Sequence, residues 1–107
     1  MKSTSPLSIL SDFSVDESAV SIHPNDGFDL GLMTTEYEVL LYVGEDALDA
    51  NLPAESFTPG RIFLKNQVRG GHIELGMKAA ERLGSARQAK IVLEPGGSPQ
   101  IARIAPA

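Results

Sequence analysis

The stretch that decides the fold is GGHIELGMKAAERLG, residues 70–84. It opens on two glycines, runs through an alternating HIEL, passes Gly76, continues in helix-favouring residues and closes on Leu-Gly. Successive side chains of a strand point to opposite sides, so His72 to Leu75 reads as a strand with Ile73 and Leu75 on its buried face. Met77, Ala80 and Leu83 then fall near one face of a short helix, about residues 77–83, with Lys78, Glu81 and Arg82 directed outward. Gly84 stands where a left-handed residue ends such a helix. A helix of about two turns does not hold by itself in water and needs a surface to pack on. The stretch is therefore a turn, a strand and a short helix that contribute Ile73, Leu75, Met77, Ala80 and Leu83 to a small core.

The neighbouring sequence supplies the rest of that surface. Downstream, AKIVLE and QIARI around the loop PGGSP predict a closing hairpin. Upstream, RIFLK (61–65) predicts a strand, with SFTPG before it as a loop. EYEVLLYV (36–43) predicts a buried strand, and GEDALDANLP at most a helical turn stopped by Pro53. Residues 1–33 mix Ser, Pro, Asp and Gly with isolated apolar positions and keep no period. They read as an extended acidic arm, partly disordered, with room for one strand at AVSI and a turn at PNDGFD. No internal repeat stands out. The expectation is an α+β, mainly β fold: a small β-barrel-like domain over 34–107 with one short helix, preceded by the arm.

At 107 residues the chain has the size of one domain. It has no cysteine, which removes disulfides and thiolate chemistry and fits a reducing, cytoplasmic setting. No apolar run reaches the length of a signal-peptide core or a membrane span, so no membrane partner is expected.

The net charge of −5 conceals a division. Residues 1–60 carry eleven acids against Lys2 alone, whereas residues 61–107 carry eight bases against Glu74, Glu81 and Glu94. A block of each sign either marks a basic module beside an acidic partner site, or places two neutralising neighbours in one fold.

Motif chemistry is sparse. No phosphate-cradling, dinucleotide, serine-elbow or zinc-helix pattern occurs. His23 and His72 are far apart in sequence, Asp26-Gly27 reads as a turn, and Glu45, Asp46 and Asp49 read as a solvated acidic face. The chain is expected to be non-enzymatic, with no cofactor and no metal.

Taken without gaps, GHIELGMKAAERLGSARQAKIVLE resembles the AbrB and MazE family of swapped-hairpin DNA-binding domains. Gly71, Ile73, Leu75, Leu83, Gly84, Ile91, Leu93 and Glu94 occupy the matching places over about residues 58–105, while Gly76 stands where the family has proline. The resemblance implies a dimeric transcription regulator or antitoxin-like protein. Its DNA-facing residues would be Arg61, Lys65, Arg69 and His72, and the charge pattern adds Arg87 as a phosphate contact. NQVRGGHIEL is also similar to a corner of the PilZ barrels, which implies a small-ligand site. The other class of function is an acidic protein-interaction module, an adaptor, immunity protein or inhibitor. Its Asp12, Asp16, Glu17, Asp26 and Asp29 would meet a basic partner.

Overall fold

The computed structural model describes residues 1–107. Its strands are β1 (Lys2–Ser3), β2 (Leu7–Ser11), β3 (Ala19–Ile22), β4 (Glu36–Val43), β5 (Thr58–Leu64), β6 (His72–Leu75), β7 (Gln88–Leu93) and β8 (Gln100–Pro106). Two five-residue helices, α1 (Pro24–Phe28) and α2 (Met77–Glu81), follow β3 and β6, and a 3-10 turn spans Ala54–Ser56. Side by side run β7, β2, β6, β3, β5, β4 and β8, and β8 pairs again with β7, so the sheet closes into a barrel. β1 continues the line of β2 along β7. Buried Thr4 joins the two, donating its N–H to the Ile91 carbonyl at 3.0 Å and accepting the Ile91 N–H on Oγ1 at 3.1 Å. This is the expected α+β, mainly β barrel, with two short helices. No helix is long and apolar enough to cross a membrane.

The period-2 pattern explains the closure. Val39, Leu41 and Val43 of β4, Ile62 and Leu64 of β5, Ile73 and Leu75 of β6, Ile91 and Leu93 of β7 and Ile104 of β8 all point into one core. Each such burial stabilises by roughly 1.5–3 kcal/mol. Leu30 and Leu83, which follow the two helices, are buried in the same core.

Several sequence expectations are corrected. Residues 1–33 form β1, β2, β3 and α1 rather than an arm beside the barrel. Leu7, Val20 and Ile22 are fully buried, because β2 and β3 find partners only in strands far along the chain. PNDGFD is a helix and not merely a turn: Pro24 suits its first position, and His23 Nδ1 accepts the Asn25 N–H at 3.0 Å. β5 begins at Thr58, three residues before the expected start. In α2 the buried residue is Ala79, whereas Met77 is 46% exposed and Ala80 half-buried. Ala79 and Leu83, four residues apart, share the buried side, and the two-residue step from Ala79 leaves Met77 on the opposite side.

The chain also has an internal repeat. Ile9 pairs with Ile73 in the parallel β2–β6 ladder, and Val20 with Ile62 in the parallel β3–β5 ladder. A shift of 53 residues (Ile9 to Ile62, Val20 to Ile73) turns one ladder into the other. The antiparallel β3–β6 ladder maps onto itself, Val20–Leu75 becoming Ile22–Ile73, with Ser21 opposite Glu74 at the pseudo-twofold axis. The same shift carries α1 onto α2, Leu30 onto Leu83, and Gly31 (φ 73°) onto Gly84 (φ 67°), both left-handed helix exits. Between residues 6–31 and 59–84 only Pro6/Pro59, Ile9/Ile62, Val15/Val68, Leu30/Leu83 and Gly31/Gly84 are identical. β8, between β4 and β7, has no counterpart in the first unit.

No strand among β1–β4 pairs with another of that group; each pairs only with strands of the second half. The two halves interlock within one chain. The reason for expecting a swapped dimer, a core that needs a second strand–helix–strand unit, is thus met internally.

Candidate functional site: an acidic groove on the barrel wall

With Val39 and Leu41 turned inward, Glu36, Glu38 and Leu40 of β4 face outward; with Ile62 and Leu64 inward, so do Arg61 and Phe63 of β5. The β4–β5 register sets Glu38 directly opposite Arg61. The Arg61 guanidinium reaches Glu36 Oε2 at 2.6 Å and Glu38 Oε1 at 3.5 Å, with the three side chains 50%, 44% and 75% exposed. On the other side of β5, β3 and the loop before it bring in Asp16, Ser18 and Ala19. Gly60 allows the close approach: a Cβ there would stand 2.7 Å from the Ser18 carbonyl oxygen, which accepts the Arg61 N–H at 2.9 Å. The result is a groove of about 660 Å³, its apolar lining from Leu40, Pro59, Phe63 and Pro99 and its rim from Asp16, Glu38 and Arg61.

Asp16 Oδ1 accepts the Ser18 hydroxyl at 2.6 Å and the Ser18 N–H at 2.8 Å. These two bonds, the hydroxyl first, hold its carboxyl below the usual aspartate range, so the rim keeps its charge at neutral pH. Glu36 and Glu38 share the Arg61 guanidinium, and Asp16, bonded only to Ser18, brings the carboxylates at this site to three against one guanidinium.

The residues expected to face DNA are divided. Arg61 lies in the groove on carboxylates. Lys65 Nζ lies over the Phe63 ring, 5.1 Å from its centroid. Arg69 is exposed in the loop before β6, and His72 Nδ1 meets the Gly70 carbonyl at 3.1 Å. Between these last two, the Gly71 N–H donates to Asp26 Oδ2 at 2.9 Å, which puts a carboxylate among the bases. Arg87 lines a separate groove with Ile9, Ser11, Met77, Ala80 and Glu81.

The expected acidic partner residues also separate by role. Asp12 accepts the Ser14 N–H and hydroxyl, both at 2.9 Å, and its carboxyl is held low for that reason. Glu17 accepts the Ala79 N–H at 2.9 Å and the Lys78 N–H at 3.3 Å, supplying the cap that Gly76 lacks. Asp26 serves Gly71, Asp29 is exposed at the end of α1, and of the five only Asp16 lines the groove. His23 and His72 flank the Ile22–Ile73 pair, so the barrel brings to one end two histidines that the sequence separates, but no metal-holding group of three forms there.

Glu38, Leu40, Pro59, Phe63 and Pro99 were not singled out from sequence. The available signal was the outward series of EYEVL: two acids and a leucine on the face opposite Val39.

A wider groove of about 780 Å³ lies between β4, the loop after it and Arg82. There Tyr42 donates its hydroxyl to Asp46 Oδ1 at 2.7 Å; that bond, then burial, then the Asp46 charge push the phenol up. Comparison with protein-family models, with curated proteins and with solved structures finds no match to the chain.

Proposed function

We propose that this protein is a non-enzymatic binding module whose acidic groove takes a basic, apolar-flanked segment of a partner protein. The observation that carries the reading is the groove itself: three carboxylates against one guanidinium, set over Leu40, Phe63, Pro59 and Pro99. Apolar contacts would supply affinity, and the exposed charges would supply encounter rate and partner choice. Apart from the two residues of β1, every strand of the closed barrel is paired on both sides, so a partner at the groove docks through side chains rather than by adding a strand. The DNA-binding reading has weaker support, since Arg61 is occupied by Glu36 and Glu38 and Asp26 stands among the remaining bases.

Fluorescence anisotropy tests the proposal with the full chain and two labelled probes, a short peptide alternating lysine or arginine with leucine, and a mixed-sequence DNA duplex. Peptide binding is expected, weakening with salt and falling about tenfold, or 1.4 kcal/mol, in Glu38→Lys. Duplex binding that exceeds peptide binding and disappears in Arg69→Ala would sink the reading and restore the DNA-binding one.

A further inference from the structure

The pseudo-twofold carries the acidic groove onto another face of the same barrel. Under the 53-residue shift Asp16 corresponds to Arg69, Ala19 to His72 and Phe63 to Leu10. The ladder of β7 with β2 (Ser8–Gln88, Leu7–Ala89) repeats that of β4 with β5 (Arg61–Glu38, Gly60–Val39), so Glu38 corresponds to Gln88 and Leu40 to Lys90. Where the groove has the carboxylates of Asp16 and Glu38, this second face has Arg69 and Gln88, and where the groove has Leu40 it has Lys90. Where the groove has Phe63, it has Leu10, a large apolar side chain 43% exposed on β2. Glu74, paired with Leu10 across the β2–β6 ladder, is a carboxylate on that face and tempers its charge without reversing it.

We infer that the basic partner of the groove is a second copy of this chain, presenting its β6–β2–β7 face with Leu10 directed at Phe63 and Leu40, and Arg69 and Lys90 directed at Asp16 and Glu38. The inference rests on the reading of the groove as a site for a basic partner. Charge complementarity selects the occupant: the groove carries Asp16 and Glu38, and the face that repeats its backbone pattern carries Arg69 and Lys90. The two surfaces differ, so the contact is head-to-tail: it does not close at two copies and extends by repetition unless its rotation forms a ring. Asp16, Glu38 and Arg69 are exposed and Lys90 half-buried, so the contact weakens as ionic strength rises.

Sedimentation velocity of the full chain, over a range of concentration and salt, tests this. Species larger than a dimer are expected at low salt and high concentration, dispersing to monomer at high salt. The groove variant Asp16→Lys/Glu38→Lys and the face variant Arg69→Glu/Lys90→Glu are each expected to remain monomeric. Their equimolar mixture is expected to associate again, since the inverted groove of one then meets the inverted face of the other; two misfolded variants would not do this. A wild-type chain that stays monomeric throughout, or association unchanged in both variants, overturns the inference. If the monomeric chain still binds the basic peptide in the anisotropy measurement, the reading of the groove stands and only the choice of partner fails. If it binds neither peptide nor itself, both fail.

Discussion

Residues 6–31 and 59–84 follow the same course of strand, loop, strand, five-residue helix and Leu-Gly exit, yet Asp12, Asp16, Asn25 and Asp29 of the first stand where Lys65, Arg69, Lys78 and Arg82 stand in the second. What the halves share is burial. Ile9 and Ile62, Val20 and Ile73, Ile22 and Leu75, and Leu30 and Leu83 fill equivalent places in or against one core, where a misplaced methylene is felt. What they do not share is exposed, where substitutions cost little. The interlock distributes this difference. The acidic loop of the first half sends Glu17 to the start of the basic α2, and the acidic α1 sends Asp26 to Gly71 in the basic loop. The division of charge along the chain therefore becomes an alternation around the barrel ends, with carboxylates meeting backbone N–H groups more often than cationic side chains.

The largest test of the comparison is truncation of its shared core. Leu30→Ala and Leu83→Ala should each cost roughly 2–5 kcal/mol, and by similar amounts, in urea unfolding. A strongly unequal pair would show that the backbone symmetry is not an energetic one. Next comes the part with no counterpart. Arg103 on β8 donates to Glu94 Oε2 at 2.9 Å and to the carbonyls of Ala47 and Asp49 at 2.9 and 3.0 Å, and its side chain is 14% exposed. It fastens the long loop after β4 to the seventh strand. Arg103→Ala should cost roughly 2–3 kcal/mol, with faster amide exchange confined to residues 45–52 before global unfolding.

A smaller effect separates the two helices. Glu17→Ala should remove about 1 kcal/mol and loosen the first turn of α2 in amide exchange, leaving α1, capped by His23, unchanged. Equal loosening of both would mean that the helices depend on the barrel and not on their caps. The smallest is a pH effect. Asp12 and Asp16 have folded-state pKa values below 3.8, so the stabilisation from their serine-capped turns is present above the unfolded value and is lost as pH falls through the folded one. The Ser14 and Ser18 amide resonances should shift below pH 4, while that of Gln67, the equivalent of Ser14 in the second loop and bonded to no carboxylate, responds less. Equal movement in both loops would assign the change to the barrel as a whole.

Much of the barrel was legible in local pattern. EYEVLLYV and HIEL form strands over just those residues, because alternation with β-branched and aromatic side chains is a local property. Of the first thirty-three residues only the strand at AVSI was legible. β2 is half exposed, with Leu10 and Ser11 both open to solvent, and its partners β6 and β7 lie more than sixty residues ahead. The repeat was hidden by its chemistry: aligned positions keep burial while reversing charge, so residue identity fails where the order of buried positions succeeds. The groove was half legible. Asp16 stood in view, but Glu38 did not, and the Phe63 and Pro99 that line it come from near the end of a strand and from a hairpin loop, which only closure of the barrel brings together.

Complete interlocking has a consequence for how the chain is made. A ribosome releases β1 to β4 first, and none of these strands has a partner until β5 and later strands emerge. The newborn first half must therefore wait, unpaired, through synthesis of the second, with Leu7, Val20, Ile22 and Leu41 open to solvent and to neighbouring nascent chains. Its eleven acids against one lysine keep that waiting segment extended and mutually repelling. The charge imbalance that forms the acidic groove in the finished molecule also acts against association of the unfinished one.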